Sequence, residues 1–292
     1  MSQTKVFFIT GCSSGFGKAL VQKCLDAGDR VIATSRDAGS LCFSNANERN
    51  YLAVDVDVCS RDSVEAAFNR AIATFGRVDV VVNNAGYGLC SAFEELTDDE
   101  IQSTMDVNFM GVARVTRAAI RIMRDVNTPP GGFVQQITSI GAQCGMPALS
   151  AYCASKWAVE GLTECIAKEM KPEWNIHLTC IEPGGFRTEW AHKSMQFRSP
   201  ERVLPAYNHV QAEQVMEAMG AVQVGDPIKG AAAIYALARV PNPPLRCLLG
   251  SEAFAVMEAK LKHYGETYRE FESIALPVDV DDLPPVLPWK NG

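Results

Sequence analysis

A chain of 292 residues, 47% of them hydrophobic, suits a single α/β domain with a sizeable core. A net charge of −7 and a pI near 5.2, with no dense basic cluster, argue against a nucleic-acid surface. No apolar run approaches bilayer length, MSQTKVFFITG reads as a strand and glycine turn rather than a signal peptide, and the ten cysteines show no metal-ligand spacing.

Lys5 to Thr10 (KVFFIT) is nearly continuously apolar, as expected of a strand covered on both faces in a parallel sheet. GCSSGFG and the helical pattern KALVQKCLDAG follow at once. Gly11 allows a sharp turn, Gly15 lets the backbone approach a pyrophosphate, and Gly17 lets helix pack on strand, while the helix N-terminus offers unpaired N–H groups to phosphate. Ser13 and Ser14 add hydroxyls, and Phe16 belongs to the same turn. DRVIATS (29–35) is the second strand. A carboxylate at its end favours NAD, whereas a small residue followed by arginine suits the 2′-phosphate of NADP. Ser35 and Arg36 hold that corner, with Asp37 beyond it, so NADP(H) is expected in preference to NAD(H).

Tyr51 to Val54 is the third strand. Asp55 at its end, with the backbone beside Val56, is expected near an adenine. Asp62 with Glu65 resembles a capping box opening the next helix. VDVVV (78–82) is the fourth strand, and the NNAG that ends it offers Asn83, Ala85 and Gly86 at the sheet edge where ligands sit in open α/β folds. Thr97 or Asp98 opens a long helical stretch with Asn108 in its middle, a poor residue for a helix interior unless it serves a local distortion. TPPGG (128–132) breaks the chain before a fifth strand ending at Ser139, and NIHLTCI is a sixth. DPIKGAAAIYALAR reads as a helix, LRCLLG as the last strand, and 251–274 as an amphipathic helix. Strands alternating with helices predict a single-domain Rossmann fold, a doubly wound parallel sheet of about seven strands. Cys24, Cys165 and Cys180 occupy apolar positions as small hydrophobes. A cytoplasmic protein without a structural metal is expected.

Tyr152 and Lys156 stand four apart on one face of the helix SAYCASKWAVEGLTECIAKEM. A free phenol has a pKa of about 10; an ammonium beside it favours the phenolate and makes the pair a candidate general acid–base. Ser139 offers a second hydroxyl to the same substrate oxygen.

TGCSSGFG, Asp55, NNAG, Asn108, Ser139, YCASK (152–156) and PGGFRT (183–188), in this order, resemble the short-chain dehydrogenase/reductase family. The likeness extends to the branch similar to 17β-hydroxysteroid and retinol dehydrogenases. It covers residues 4–190 closely. The GxxxGxG spacing at Gly11, Gly15 and Gly17 is the form of the glycine turn used in this family. The resemblance implies an Asn108–Ser139–Tyr152–Lys156 tetrad. In it Tyr152 exchanges the proton, Ser139 orients the substrate oxygen, and Lys156 lowers the phenol's pKa and binds the nicotinamide ribose. Asn108 holds a relay water through its backbone. Thr188 bonds the carboxamide, with Pro183, Gly184 and Phe186 in the same cofactor-binding loop. The implied partners are a small-molecule carbonyl or alcohol and a second copy of the chain, in a homodimer or homotetramer paired through helices at about 99–125 and 152–170.

A substrate lid is expected at about 189–225. Trp190, Met195, Phe197 and Tyr207 offer apolar contact there, opposite Cys144, Met146 and Leu149, which suggests a bulky, mostly apolar substrate. His192 and His209 are read as lid residues only, and 275–292 as an extended tail. The leading expectation is interconversion of a secondary alcohol with a ketone or aldehyde. Two other uses of the same motifs are a cofactor-assisted cyclisation or isomerisation and an NADP(H)-sensing protein; the intact tetrad speaks against the second.

Overall fold

The computed structural model describes residues 4–221, 223–278 and 280, so the expected tail lies mostly outside the described residues. Seven parallel strands form the main sheet: β1 (Val6–Ile9), β2 (Arg30–Ser35), β3 (Tyr51–Asp55), β4 (Val80–Asn83), β6 (Gly132–Ile137), β7 (Ile176–Pro183) and β9 (Arg246–Leu249). Their order is β3-β2-β1-β4-β6-β7-β9. Connections therefore leave β1 and β4 toward opposite edges, and a crevice opens at that switch point.

The apolar run of β1 is explained by its two faces. Phe8 stacks on Phe68 of α2 (Arg61–Phe75) with ring centroids 4.2 Å apart and joins Val81 and Val134 in one core layer. Phe7 and Ile9 join Val80, Ile181 and Ile234 in the layer beneath α1 (Gly15–Asp26) and α8 (Pro227–Leu237). Burial on both sides leaves no room for polar alternation.

Several expectations need correction. The cap of α2 is Ser60, which accepts from Ser63 N; Asp62 sits instead in the first turn, where its charge favours the helix dipole. The long helical stretch is α3 (Asp98–Met105), opened by a full Thr97–Glu100 capping box, then a π-helical segment Asp106–Gly111, then α4 (Val112–Asp125). Cys24 and Cys180 are buried, but Cys165 faces out from α5 (Ser150–Glu169), because the helix turns that position away from the sheet.

The segment 189–225 is folded over the body rather than loosely joined to it. After α6 (Trp190–Lys193), its strand β8 (Met195–Phe197) pairs in parallel with β5 (Gly88–Cys90), and α7 (Ala212–Ala221) packs Met216 against Tyr152 and Leu149. Arg198 and Glu95 form a buried ion pair at 2.7 Å, and Arg202 is paired with Glu100. The final helices α9 (Ser251–Glu270) and α10 (Glu272–Ala275) are amphipathic in sequence, yet only Ala253 is buried. Leu276–Val278 add one 3₁₀ turn.

Candidate active site

A cavity of about 870 Å³ lies in the crevice at the C-terminal ends of β1 and β4. Gly11 and Gly15 take φ of +69° and +54° to turn the chain from β1 into α1, a region that favours glycine. A Cβ on Gly11 would stand 2.8 Å from Ala85 Cα. One on Gly17 would stand 2.3 Å from Gly11 O, so Gly17 permits the helix to approach the turn but does not line the cavity. Ser14 flanks α1 without a side-chain cap, leaving the first-turn N–H groups directed at the cavity wall.

Of the expected cofactor residues, Gly11, Ser13, Ser14, Gly15, Phe16, Ser35, Arg36, Val56, Ala85, Gly86, Pro183, Gly184, Phe186 and Thr188 all line this cavity. Asp55 does not; its Oδ1 accepts from Ala38 N at 2.7 Å. Asn83 is buried in the sheet and donates to Gln136 Oε1 at 2.8 Å. Its neighbour Asn84, which the motif reading passed over, lines the cavity and pins the glycine turn by donating from Nδ2 to Thr10 O and Gly11 O at 2.9 and 3.0 Å. Strand alternation could have found it: with Asn83 turned into the sheet, the next residue faces the crevice. Asp37 is not on the wall, whereas Thr34 and Asp57 are.

At the other end of the cavity stand Ser139, Tyr152 and Lys156. Lys156 Nζ donates to Ile137 O at 2.8 Å, and its ammonium lies 5.9 Å from the centroid of the Tyr152 ring. Ser139 Oγ accepts from Gly141 N at 3.0 Å, and its hydrogen bond to the phenol pulls the Tyr152 pKa down. Burial outweighs that pull and pushes the phenol up to about 12. Lys156 is brought down to about 8, again chiefly by burial. The expected depression of the phenol by the lysine is thus not what dominates in this geometry; desolvation is.

Asn108 is fully buried in the π-helical segment and is not on the wall. Its Nδ2 donates to Tyr87 O at 2.8 Å and Ser155 Oγ at 3.1 Å, and its Oδ1 accepts from Tyr87 N at 3.0 Å. This clamp fixes the chain after NNAG to the helix that carries Tyr152. Gly86 is crowded for the same reason, since a Cβ there would lie 3.0 Å from Asn108 Oδ1.

Trp190, whose ring centroid is 5.2 Å from that of Tyr152, closes the cavity together with Met146 and Met219. Met195 is buried beneath, Leu149 is in the core, and Phe197, Tyr207 and Cys144 lie off the wall. His209 is exposed beside Tyr207, and the side chain of His192 lies outside the described residues. Gln223 and Glu252, which no motif marked, also line the wall, and both stand close to Gly185.

The chain's similarities point the same way. A family model described as short chain dehydrogenase matches residues 5–199. An uncharacterized oxidoreductase of Schizosaccharomyces pombe is 38% identical over 95% of this chain and 92% of its own. The human 17-beta-hydroxysteroid dehydrogenase type 1 is 37% identical over 68% of this chain and 61% of its own. The crystal structure of a short-chain dehydrogenase from Streptomyces avermitilis superposes with a TM-score of 0.85 at 34% identity, covering 95% of this chain and all of that one. A glycine turn and helix N-terminus at one end of a crevice and a serine, tyrosine and lysine at the other agree with these matches: the chain belongs to the short-chain dehydrogenase family of oxidoreductases, which bind a nicotinamide cofactor.

Proposed function

We propose that the protein is an NADP(H)-dependent oxidoreductase that interconverts a secondary alcohol and a ketone or aldehyde on a bulky, mostly apolar substrate, in the reductive direction. Support comes from one cavity lined by Ser35 and Arg36 at one end and by Ser139, Tyr152 and Lys156 at the other. Glycines that a Cβ would crowd, and a helix N-terminus without a side-chain cap, suit the pyrophosphate between them. Arg36 suits the 2′-phosphate by charge and shape. Trp190, Met146 and Met219 on the wall, and the similarity to a protein named for a hydroxysteroid, favour bulky apolar substrates.

When bound, the nicotinamide supplies or takes up the hydride. In reduction, Ser139 donates a hydrogen bond to the carbonyl oxygen and Tyr152 gives that oxygen its proton. A phenol pushed up to about 12 holds its proton at neutral pH, the form this direction requires. Lys156 would hold the ribose hydroxyls, and its ammonium stabilises the phenolate left behind. The π-helical segment interrupts the regular ladder at Asn108, where a main-chain carbonyl can hold a water that returns the proton. Thr188, on the cavity wall, would hold the carboxamide and so orient the ring.

Ten free cysteines favour a reducing cytoplasm. The exposed Trp157 on α5 and Met110 on the π-helical segment that leads into α4 favour pairing of two or four copies through this helical face. The test of cofactor choice is binding of NADPH and NADH to the wild type and Arg36→Ala. Tight NADPH binding that falls to the NADH level in the variant is expected; equal, unaltered binding of both would overturn the NADP assignment.

A further inference from the structure

The proton chemistry proposed above depends on Lys156, and the groups that govern the charge around it lie one layer behind the cavity wall. Glu160 follows Lys156 by one turn of α5 and is 5% exposed; Glu182, next to Pro183 on β7, is 1% exposed. Glu160 accepts from Thr138 Oγ1 at 2.8 Å and from Arg246 Nε at 2.9 Å. Glu182 accepts from Gln143 Nε2 at 2.8 Å and lies 3.9 Å from Arg246 Nε. The second arm of Arg246 is taken by Glu164 at 2.8 Å.

Three carboxylates thus share one guanidinium, and two of them are enclosed. Two buried carboxylates side by side resist carrying two charges. Burial, then the charge of Glu160, holds the Glu182 carboxyl well above the usual carboxylate range, at about 7, with Gln143 and Arg246 pulling the other way. The other titratable or charged groups around the pair are Lys156 and Glu164 from α5, Cys180 from β7, and Arg246 and Cys247 from β9, with Lys260 of α9 one residue removed, on Gln143. Burial pushes both thiols up, so they stay neutral. Lys260 binds the carbonyl of Gln143, which ties Glu182 to the chain that forms the substrate wall.

We propose that Glu160 and Glu182 share one proton and act as a positioning pair for Lys156: loss of that proton places a further negative charge behind the lysine and keeps its ammonium charged, extending the alkaline range in which the site works. The pair touches neither substrate nor cofactor; it acts through the lysine, and the proposal rests on the catalytic role given to Lys156. Desolvation lowers the lysine, and with the Cys180 thiol neutral the charge of Glu160, one turn along the same helix, is what pulls it back up.

The test is equilibrium binding of NADPH from pH 5.5 to 9.5 by wild type, Glu182→Gln and Lys156→Met, with thermal midpoints recorded alongside. Glu182→Gln keeps the shape of the protonated acid and cannot ionise. It should match wild type within about twofold at pH 6 and lose affinity earlier on the alkaline side, its midpoint moving down by up to about one unit, which is ~3–10-fold weaker binding above pH 8. Lys156→Met should lack that limb. An unmoved midpoint in Glu182→Gln would overturn the proposal. Failure of the wild type to bind NADPH at any pH would sink the cofactor reading instead, and the thermal midpoints would then judge the shared proton. Because the folded value of Glu182 lies above its unfolded one, its contribution is full below about pH 4.5 and is lost as pH rises through about 7. Wild type should therefore fall relative to Glu182→Gln between pH 5 and 8, and parallel curves would refute a shared proton.

Discussion

At the scale of single residues, Lys156 shows that stability and function pull apart. A buried ammonium brought from 10.5 down to about 8 costs the fold up to about 3 kcal/mol at neutral pH. The folded value is depressed, so the cost is full below pH 8 and vanishes as pH rises to 10.5, where both states are neutral. Lys156→Met should therefore unfold at higher denaturant concentration than wild type at pH 7, by up to about that amount, with the gain shrinking toward pH 10. Denaturation curves at several pH values check this. Gly17 carries the opposite lesson. A Cβ there meets the backbone oxygen of Gly11 at 2.3 Å, which no side-chain movement relieves. Gly17→Ala should cost about 1–3 kcal/mol as overpacking and weaken cofactor binding with it, read by urea denaturation and titration.

At the scale of elements, the segment over the cavity is latched by charge. Arg198 and Glu95 are both nearly fully buried, and Leu204 N also donates to Glu95 at 2.9 Å. Removing one partner of such a pair costs about 3–5 kcal/mol because the other charge is left uncompensated. Arg198→Met should therefore lower hydrogen-exchange protection in 195–207 by on the order of a hundredfold while leaving β1 and β4 protected. Acid should loosen the same latch: Arg202 beside Glu100 holds that carboxyl at about 2, so its contribution is present above pH 4.5 and lost as pH falls toward 2. None of this was visible in the chain's order. The seven strands of the sheet and the glycine turn were, because apolar runs buried on both faces and residues needing positive φ leave local marks. The β5–β8 pair joins two three-residue segments about a hundred positions apart, too short for any periodicity. The π-helical segment announced itself only as an asparagine out of place. The Glu160–Arg246–Glu182 group depends on α5, β7 and β9 meeting. Asp55 and Asn83 end their strands, yet neither lines the cavity: Asp55 accepts from Ala38 N, and strand alternation turns Asn83 into the sheet and puts Asn84 on the wall.

At the scale of the whole molecule, the outer face of α5 tests the proposed assembly. A Cβ on Gly161 meets nothing within 4 Å, so Gly161→Glu should leave the fold intact. If two copies pair across this helix, light scattering should show the variant at half or less of the wild-type mass; an unchanged mass would exclude this face. The central claim is that Tyr152 is the proton donor of a nicotinamide-dependent reductase, and it is tested most directly by Tyr152→Phe. With a bulky apolar ketone as substrate, NADPH binding is measured by titration and oxidation by loss of absorbance. The account predicts binding within about threefold of wild type and turnover reduced by about 10²–10⁴-fold, the share that general acid catalysis supplies. Turnover that survives in the phenylalanine variant would contradict it.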